Sequence, residues 1–323
     1  PGPSGYEAQI RSLVRTEIEA FADEITVDAL GNLIVRKTAS SGSEGKKIMI
    51  AGHMDEIGVI VTHIDDSGFV RFSNLGGVFP RYVPGGRVRF LDGTLGVIGT
   101  EWVPDAYKVP PLDKMFIDVG ATNKKECPIR VGDVAVFDRP FSTLGNRLVS
   151  KALDDRIAVA VMVETLRQLK KSSHDLYFVF TVQEEVGVRG ATTAAFGINP
   201  DLGLAVDVTL SGDTPKGVRM DVALGKGPAI KVKDSGMLAD PRVVNWMVEI
   251  SQKEKIPYQL EVLERGGTDA RAIQLTRAGV PAGCLSIPCR YVHSPSEMVD
   301  LGDVQNAVKL LVALLSNSIS LDR

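Results

Sequence analysis

Positive charge, thiols, indoles and long apolar runs are all scarce in this chain, and each scarcity removes a class of function. Lysine and arginine total 37 against 40 aspartates and glutamates, a formal charge of −3. With no basic footprint, nucleic acid and anionic membrane surfaces are poor partners. No apolar run approaches the roughly 18–20 residues of a spanning helix, and no basic-then-apolar leader opens the chain. A start on Pro1 instead of Met suggests trimming or an earlier beginning. The three cysteines, Cys127, Cys284 and Cys289, are an odd number without metal-finger spacing, which argues against a disulfide framework. Cys284 and Cys289 lie in an apolar stretch and read as buried thiols, so a reduced, cytoplasmic protein is expected. There is no internal repeat and no low-complexity tract. The four histidines and two tryptophans are few enough for their positions to be informative.

What is present is ordinary globular material. The 323 residues, 44% hydrophobic and 24% charged, suffice for one large core and a second smaller one. The most telling stretch is Thr181-Val-Gln-Glu-Glu-Val-Gly-Val-Arg-Gly190, which follows the apolar run Leu176-Tyr-Phe-Val-Phe180. That run is short, β-branched and aromatic, and predicts a buried strand. Glu184 and Glu185 sit where the strand runs out. Neighbours on an extended segment point to opposite sides, so one can hold a cation while the other moves a proton. The plainer reading is a solvated strand end.

From the start, Pro1-Gly-Pro-Ser-Gly-Tyr-Glu leads into a helix with Ser4 as cap, Glu7 three residues on, and an apolar stripe of Ile10, Val14 and Ile18. A turn and strand follow over 28–35, then a flexible hairpin loop over 40–45. Lys47-Ile-Met-Ile-Ala-Gly52 predicts another buried strand, ending in His53-Met54-Asp55. Between 62 and 143 the texture changes. Short β-like pieces such as Gly68-Phe-Val-Arg-Phe72, Arg87-Val-Arg-Phe-Leu91 and Gly132-Asp-Val-Ala-Val-Phe137 alternate with Gly, Pro and Asp turns, the pattern of a small all-β barrel or sandwich. The βα rhythm then resumes, with helices over 155–171, 241–253, 269–278 and 304–315 and strands over 176–180, 203–207, 229–233, 258–263 and 282–288. The organisation is an α/β domain, 1–61 and 144–323, interrupted by a β insertion, 62–143.

Open α/β sheets place ligands beyond the carboxyl ends of their strands. Four expected strand ends carry a metal-capable side chain: His53, the Glu184/Glu185 pair, Asp207 and, after Pro288, His293. Asp154, in Lys151-Ala-Leu-Asp-Asp-Arg156, opens the helix after the insertion. This borderline-hard N/O set suits Zn²⁺, Co²⁺ or Mn²⁺ better than Ca²⁺. Five ligands exceed a simple catalytic zinc site and fit two ions that share a bridging carboxylate, roughly 3.5–4 Å apart. Duller roles exist for each. A lone histidine is usually an ordinary hydrogen-bonded one, the reading kept for His63 and His174. Asp154 and Asp155 could both cap the helix. Asp55 shares a strand face with His53 and either fixes its imidazole or is exposed. Asp207, ending an apolar strand, is hardest to explain without a partner. Ser294-Pro-Ser-Glu297 scores as a capping box and predicts a short helical turn. Gly266-Gly-Thr-Asp-Ala270 reads as a turn with Thr268 or Asp269 capping the next helix.

The order His53-x-Asp55, Asp154, Glu184-Glu185, Asp207, His293 resembles the di-metal aminopeptidases that assemble into tetrahedral dodecamers, the TET, deblocking and glutamyl aminopeptidase family of the co-catalytic zinc exopeptidases. The likeness runs nearly end to end, through Pro3-Ser-Gly-Tyr-Glu7, Ala51-Gly-His-Met-Asp-Glu-Ile-Gly58, Ala152-Leu-Asp-Asp-Arg156, Val182-Gln-Glu-Glu-Val-Gly187, Asp213-Thr-Pro-Lys-Gly217, Gly266-Gly-Thr-Asp269 and Arg290-Tyr-Val-His-Ser-Pro-Ser-Glu-Met298. The resemblance implies a Rossmann-like, phosphorylase/hydrolase-type catalytic domain interrupted by a β-barrel dimerisation domain. It implies His53 and Asp207 on one ion, Glu185 and His293 on the other, Asp154 as bridge, Glu184 as general base and Asp55 behind the ligands. Two divalent ions per subunit, zinc or cobalt, short peptide substrates and a dodecamer built from dimers are the further expectations. An endoglucanase label within the family keeps a glycoside hydrolase as rival, beside a metal-dependent deacylase and a metal-bearing scaffold without activity.

Overall fold

Four strands, Asp175–Thr181, Lys47–His53, Leu202–Leu210 and Ala282–Arg290, run parallel in that order through the centre of the computed structural model. The model describes residues 1–40, 45–105, 107–317, 319 and 321, so positions 41–44 of the loop expected over 40–45 lie outside the described residues. The central strands are apolar on both faces because helices cover both. Ile48, Ile50, Phe178, Phe180, Leu204 and Val206 pack with the helices Ala8–Ile18, Leu153–Gln168, Pro241–Lys253 and Leu301–Ser316. The alternate residues Met49, Ala51 and Val179 turn the other way, against Arg189–Ile198 and Ala270–Gln274. Leu33–Lys37 and Glu24–Val27 extend one side of the sheet. Glu297–Asp300, Arg147–Ser150 and Ser142–Leu144 extend the other, while Ala229–Lys233 pairs with Ala282–Arg290 and Gln259–Val262.

Five residues after His53 the chain enters a closed barrel of six strands, Gly58–Ile64, Val70–Leu75, Met115–Asp118, Leu95–Thr100, Arg87–Phe90 and Val134–Phe137. Its interior is a separate apolar cluster that includes Val59, Phe72, Val88, Phe90, Ile98 and Ile117. The fold is therefore α/β with an inserted β-barrel, as expected. No helix among the described residues is long and apolar enough to cross a membrane.

Several local expectations are corrected. Ser4 does not cap the first helix, which starts after Glu7 with no side-chain cap, although Ile10, Val14 and Ile18 are buried as its stripe. Arg189–Ile198 is a helix that the sequence hides behind Gly190, Thr192, Thr193 and Gly197, all poor helix formers. Ala270–Gln274 stops well short of 278, and Arg277 (φ 53°) and Gly279 (φ 97°) lie beyond it in the left-handed region. The strand expected to end at Asp207 continues to Leu210, because Ala282–Arg290 runs beside it as far as the Leu210–Cys289 pair. No helical turn follows Ser294; Glu297 opens a strand instead.

Candidate metal centre

Sheet register assembles the site. His53 is the last residue of its strand and pairs with Thr181, while Ala205 pairs with Ala51, which brings Asp207 level with His53. Beyond Thr181 the chain turns at Gln183 (φ 55°) into Glu184 and Glu185. Their amides are fixed by one carboxylate: the Glu184 N–H donates to Asp55 Oδ1 at 3.0 Å and the Glu185 N–H to Asp55 Oδ2 at 3.2 Å. The Ser4 hydroxyl donates to the same Oδ2 at 2.5 Å, which is the role it takes instead of capping.

Asp154 lies between the two imidazoles. His53 Nε2 is 3.1 Å from Asp154 Oδ1, and His293 Nε2 is 3.2 Å from Asp154 Oδ2 and 3.4 Å from Glu185 Oε2. One ligand atom each from His53, Asp155 and Asp207 also lie within 4.8 Å of one another. The expected residues His53, Asp154, Glu185, Asp207 and His293 therefore meet in one place, with Glu184 Oε2 3.9 Å from His53 Nε2. The nearest acceptor for His53 Nδ1 is the Asp55 backbone carbonyl at 3.0 Å, with the Asp55 side chain at 3.5 Å. His63 stays in the barrel and His174 accepts the Lys46 amide, both away from the site.

Three contributors were not foreseen. Asp155 caps nothing: its backbone is non-helical and its Oδ2 accepts the His53 N–H at 3.3 Å. Glu297, read as half of a capping box, accepts the His293 N–H on Oε1 and the Asp154 N–H on Oε2, both at 2.8 Å. Asp269 does not cap its helix either; it accepts the Thr181 hydroxyl at 2.5 Å, and burial pushes its carboxyl up to about 6.

Electrostatics explains what such a cluster needs. Burial, then the neighbouring carboxylates, pushes Asp207 and Asp155 well above the usual carboxylate range, and burial does the same to Glu184. Burial also raises Asp154, but hydrogen bonds from His293 and His53 outweigh it and leave that carboxyl low. Burial opposes charge on His293, yet Asp154 and Glu185 lift it to about 12. Asp155 Oδ1, Glu185 Oε1 and Asp269 Oδ1 are buried with no donor. Buried carboxylates this crowded are costly unless cations balance them. The donor set, imidazole and carboxylate with no thiolate, fits divalent ions of the zinc type.

Comparison with known proteins agrees with that chemistry. The aminopeptidase APDkam598 of the archaeon Desulfurococcus kamchatkensis superposes with a TM-score of 0.94 at 47% identity, covering 98% of this chain and 91% of that one. The Pyrococcus horikoshii TET1 peptidase, whose structure is described as able to assemble into a tetrahedron or a large octahedral shell, gives 0.88 at 35% identity, covering 98% and 96%. The lysyl aminopeptidase of Pyrococcus furiosus is 39% identical over 331 residues, 98% of this chain and 93% of its own. The M42 glutamyl aminopeptidase family matches residues 31–310, and the chain belongs to that family.

Proposed function

We propose that this aminopeptidase removes N-terminal residues from short peptides with two divalent ions, zinc or cobalt, held by His53 and Asp207 on one side and by Glu185 and His293 on the other. Asp154 would offer one oxygen to each, and Glu184 is the general base. The observation that carries this reading is Asp154, which offers one carboxylate oxygen to each imidazole. When bound, such ions lower the pKa of a shared water and polarise the scissile carbonyl. The rest falls to the protein's own groups. Glu184 and Glu185 divide their roles by exposure: the Glu184 side chain is 13% exposed against 4% for Glu185, so Glu184 is the one a substrate can meet. Burial raises its carboxyl toward the range where a base can both take the water's proton and return it to the leaving amine. Asp55 supports the pair by holding both amides. Both Glu amides rest on one carboxylate in one turn, which suits neighbouring tasks and not a glycosidase acid and base on opposite sides of a scissile bond.

The unit 1–61 with 144–323 is assigned catalysis, and the inserted 62–143 is assigned dimerisation within a dodecamer in the cytoplasm. The exposed barrel side chains Leu95, Val97 and Val131 support an interface there, as does the assembly described for the P. horikoshii relative. The test is turnover of aminoacyl-nitroanilides and short peptides, with and without N-terminal acetylation, before and after chelation and re-addition of Zn²⁺ or Co²⁺. Chelation should abolish activity, either ion should restore it, and acetylated substrates should be refused. Glu184→Gln should retain both ions and lose at least about 100-fold in kcat, the lower range for a positioned acid–base group. Near-wild-type turnover by that variant, or cleavage of acetylated peptides, would refute the assignment.

A further inference from the structure

The inserted barrel touches the metal centre. After the strand Val70–Leu75 the chain passes through Gly76 (φ 76°) and Gly77, a turn in which the Gly76 carbonyl accepts from Asn74 Nδ2 at 2.7 Å and from the Val78 N–H at 3.0 Å. A Cβ on Gly77 would lie 2.2 Å from His293 Nδ1 and 2.5 Å from its Cε1, and a Cβ on Gly76 would lie 2.9 Å from Glu185 Oε2. The Phe79 ring follows, its centroid 5.9 Å from that of the His293 imidazole and tilted by 33°. The backbone of Gly77 is not in the left-handed region. Glycine is therefore needed there for room alone.

We infer that Gly77 is a positioning residue: the barrel turn forms the back wall of the His293 ring and so sets the affinity of the ion held by His293 and Glu185. This rests on the reading of His293 as a ligand. Glu297 pins the His293 backbone and Asp154 and Glu185 face its Nε2, so the wall bears on the Nδ1 side of the ring. A methyl group at 77 forces the ring to retreat by about 1 Å before the contact becomes ordinary. A histidine–metal bond of about 2.0–2.1 Å tolerates a deviation of only about 0.2 Å. The insertion is thus part of the catalytic unit as well as a surface for assembly.

The experiment titrates Co²⁺ into the metal-free full chain, followed by visible absorption, with thermal unfolding of the metal-free form measured in parallel. The variants are Gly77→Ala, His293→Ala, their double, and Gly197→Ala, whose added Cβ would meet nothing within 4 Å. Wild type and Gly197→Ala should take two equivalents. Gly77→Ala should bind one equivalent normally and the other about 10–100-fold more weakly, as for groups that orient a ligand, with the metal-free melting temperature near wild type. Adding Gly77→Ala to His293→Ala should cost nothing further, because the ring it strikes is gone. Wild-type titration by Gly77→Ala overturns the inference while leaving the metal reading intact. Undiminished binding of both equivalents by His293→Ala overturns the metal reading itself, and this inference with it. Should Gly77→Ala fail to fold, recovery of folding in the double variant supports the clash, and continued failure refutes it.

Discussion

Filling the metal centre should expel protons, and the structure says how many to expect. Without cations, His293 is lifted to about 12 and His53 well above an ordinary imidazole, in each case because Asp154 and a second carboxylate outweigh burial. Both rings therefore carry a proton at pH 7, and an imidazole must be neutral to ligate. At least two protons leave per subunit, one from each ring, and the raised carboxyls of Asp207, Asp155 and Glu184 add to that number. One proton released per ion makes each apparent affinity rise about tenfold per pH unit through neutrality, and the overall constant for the pair about 100-fold. The signs differ for the metal-free fold. Stability from the raised histidines is full below their unfolded pKa near 6.5 and is lost only as pH rises through the folded values, about 12 for His293. The raised carboxyls act earlier: they favour the protonated fold, so its stability declines as pH climbs from about 4. The melting temperatures of loaded and metal-free protein should separate as pH increases from 6 toward 8. Calorimetric titration with Zn²⁺ in two buffers of different ionisation enthalpy counts the protons directly. A proton count of zero at pH 7, with affinity flat between pH 6 and 8, would refute the charge balance derived for this site.

Three further perturbations test the surroundings. Glu297→Gln keeps one acceptor and turns an amide N–H₂ toward either the Asp154 or the His293 N–H; leaving a buried N–H without its acceptor costs about 1–3 kcal/mol, and metal titration should show about 10–100-fold weaker binding. Ser4→Ala removes the hydroxyl donor to Asp55 while leaving the fold, and steady-state kinetics should show kcat/KM reduced about tenfold, equivalent to about 1.4 kcal/mol. Lys231 and Glu261 form a buried ion pair at 2.5 Å, with Thr209 donating to the same oxygen. Lys231→Met should destabilise by about 3–5 kcal/mol in a denaturant melt, and Lys231→Met with Glu261→Leu should recover most of it, since the penalty is the unpaired charge.

The parts of the site legible in the sequence were those written in local strand chemistry. His53 and Glu184-Glu185 follow apolar runs that could only be buried parallel strands, and the rule that such strands gather ligands at their carboxyl ends does the rest. Glu185 joins them because register, set by pairs such as Thr181 with His53, leaves little freedom, and Asp154 because Glu297 accepts its N–H. The barrel showed through its turns. What stayed hidden depended on partners distant in sequence. Ser294-x-x-Glu297 has the spacing of a cap, but a cap competes with any buried amide that lacks an acceptor, and Asp154 supplies one from 143 residues away. Ser4 is diverted to Asp55 in the same way across 51 residues. The helix Arg189–Ile198 could not be read from propensity, because packing of Ala191, Ala194 and Ala195 against the sheet stabilises it instead.

The passage from sheet to barrel is tied to the start of the site-forming helix, which bears on why an insertion can share in chemistry. The chain leaves the sheet through residues 54–57, re-enters it at Ser142–Leu144, and passes from Arg147–Ser150 into the site-forming helix Leu153–Gln168. Glu56, 2% exposed, lies in that outgoing passage and binds Lys151, just before the helix, and Arg156 within it, the latter at 3.3 Å. Arg156 Nε also donates to the Met54 carbonyl at 2.6 Å. Burial alone would neutralise Glu56, but the two cations hold its carboxyl below the usual range, so the tie stays ionised at neutral pH. A buried pair of this kind adds little net stability, yet it fixes geometry because any displacement strands a charge. The barrel is thus anchored within three residues of both His53 and Asp154, and its Gly76-Gly77 turn returns to the opposite edge of the same centre, against Glu185 and His293. Movement of the barrel relative to the sheet would therefore act on both sides of Asp154 at once.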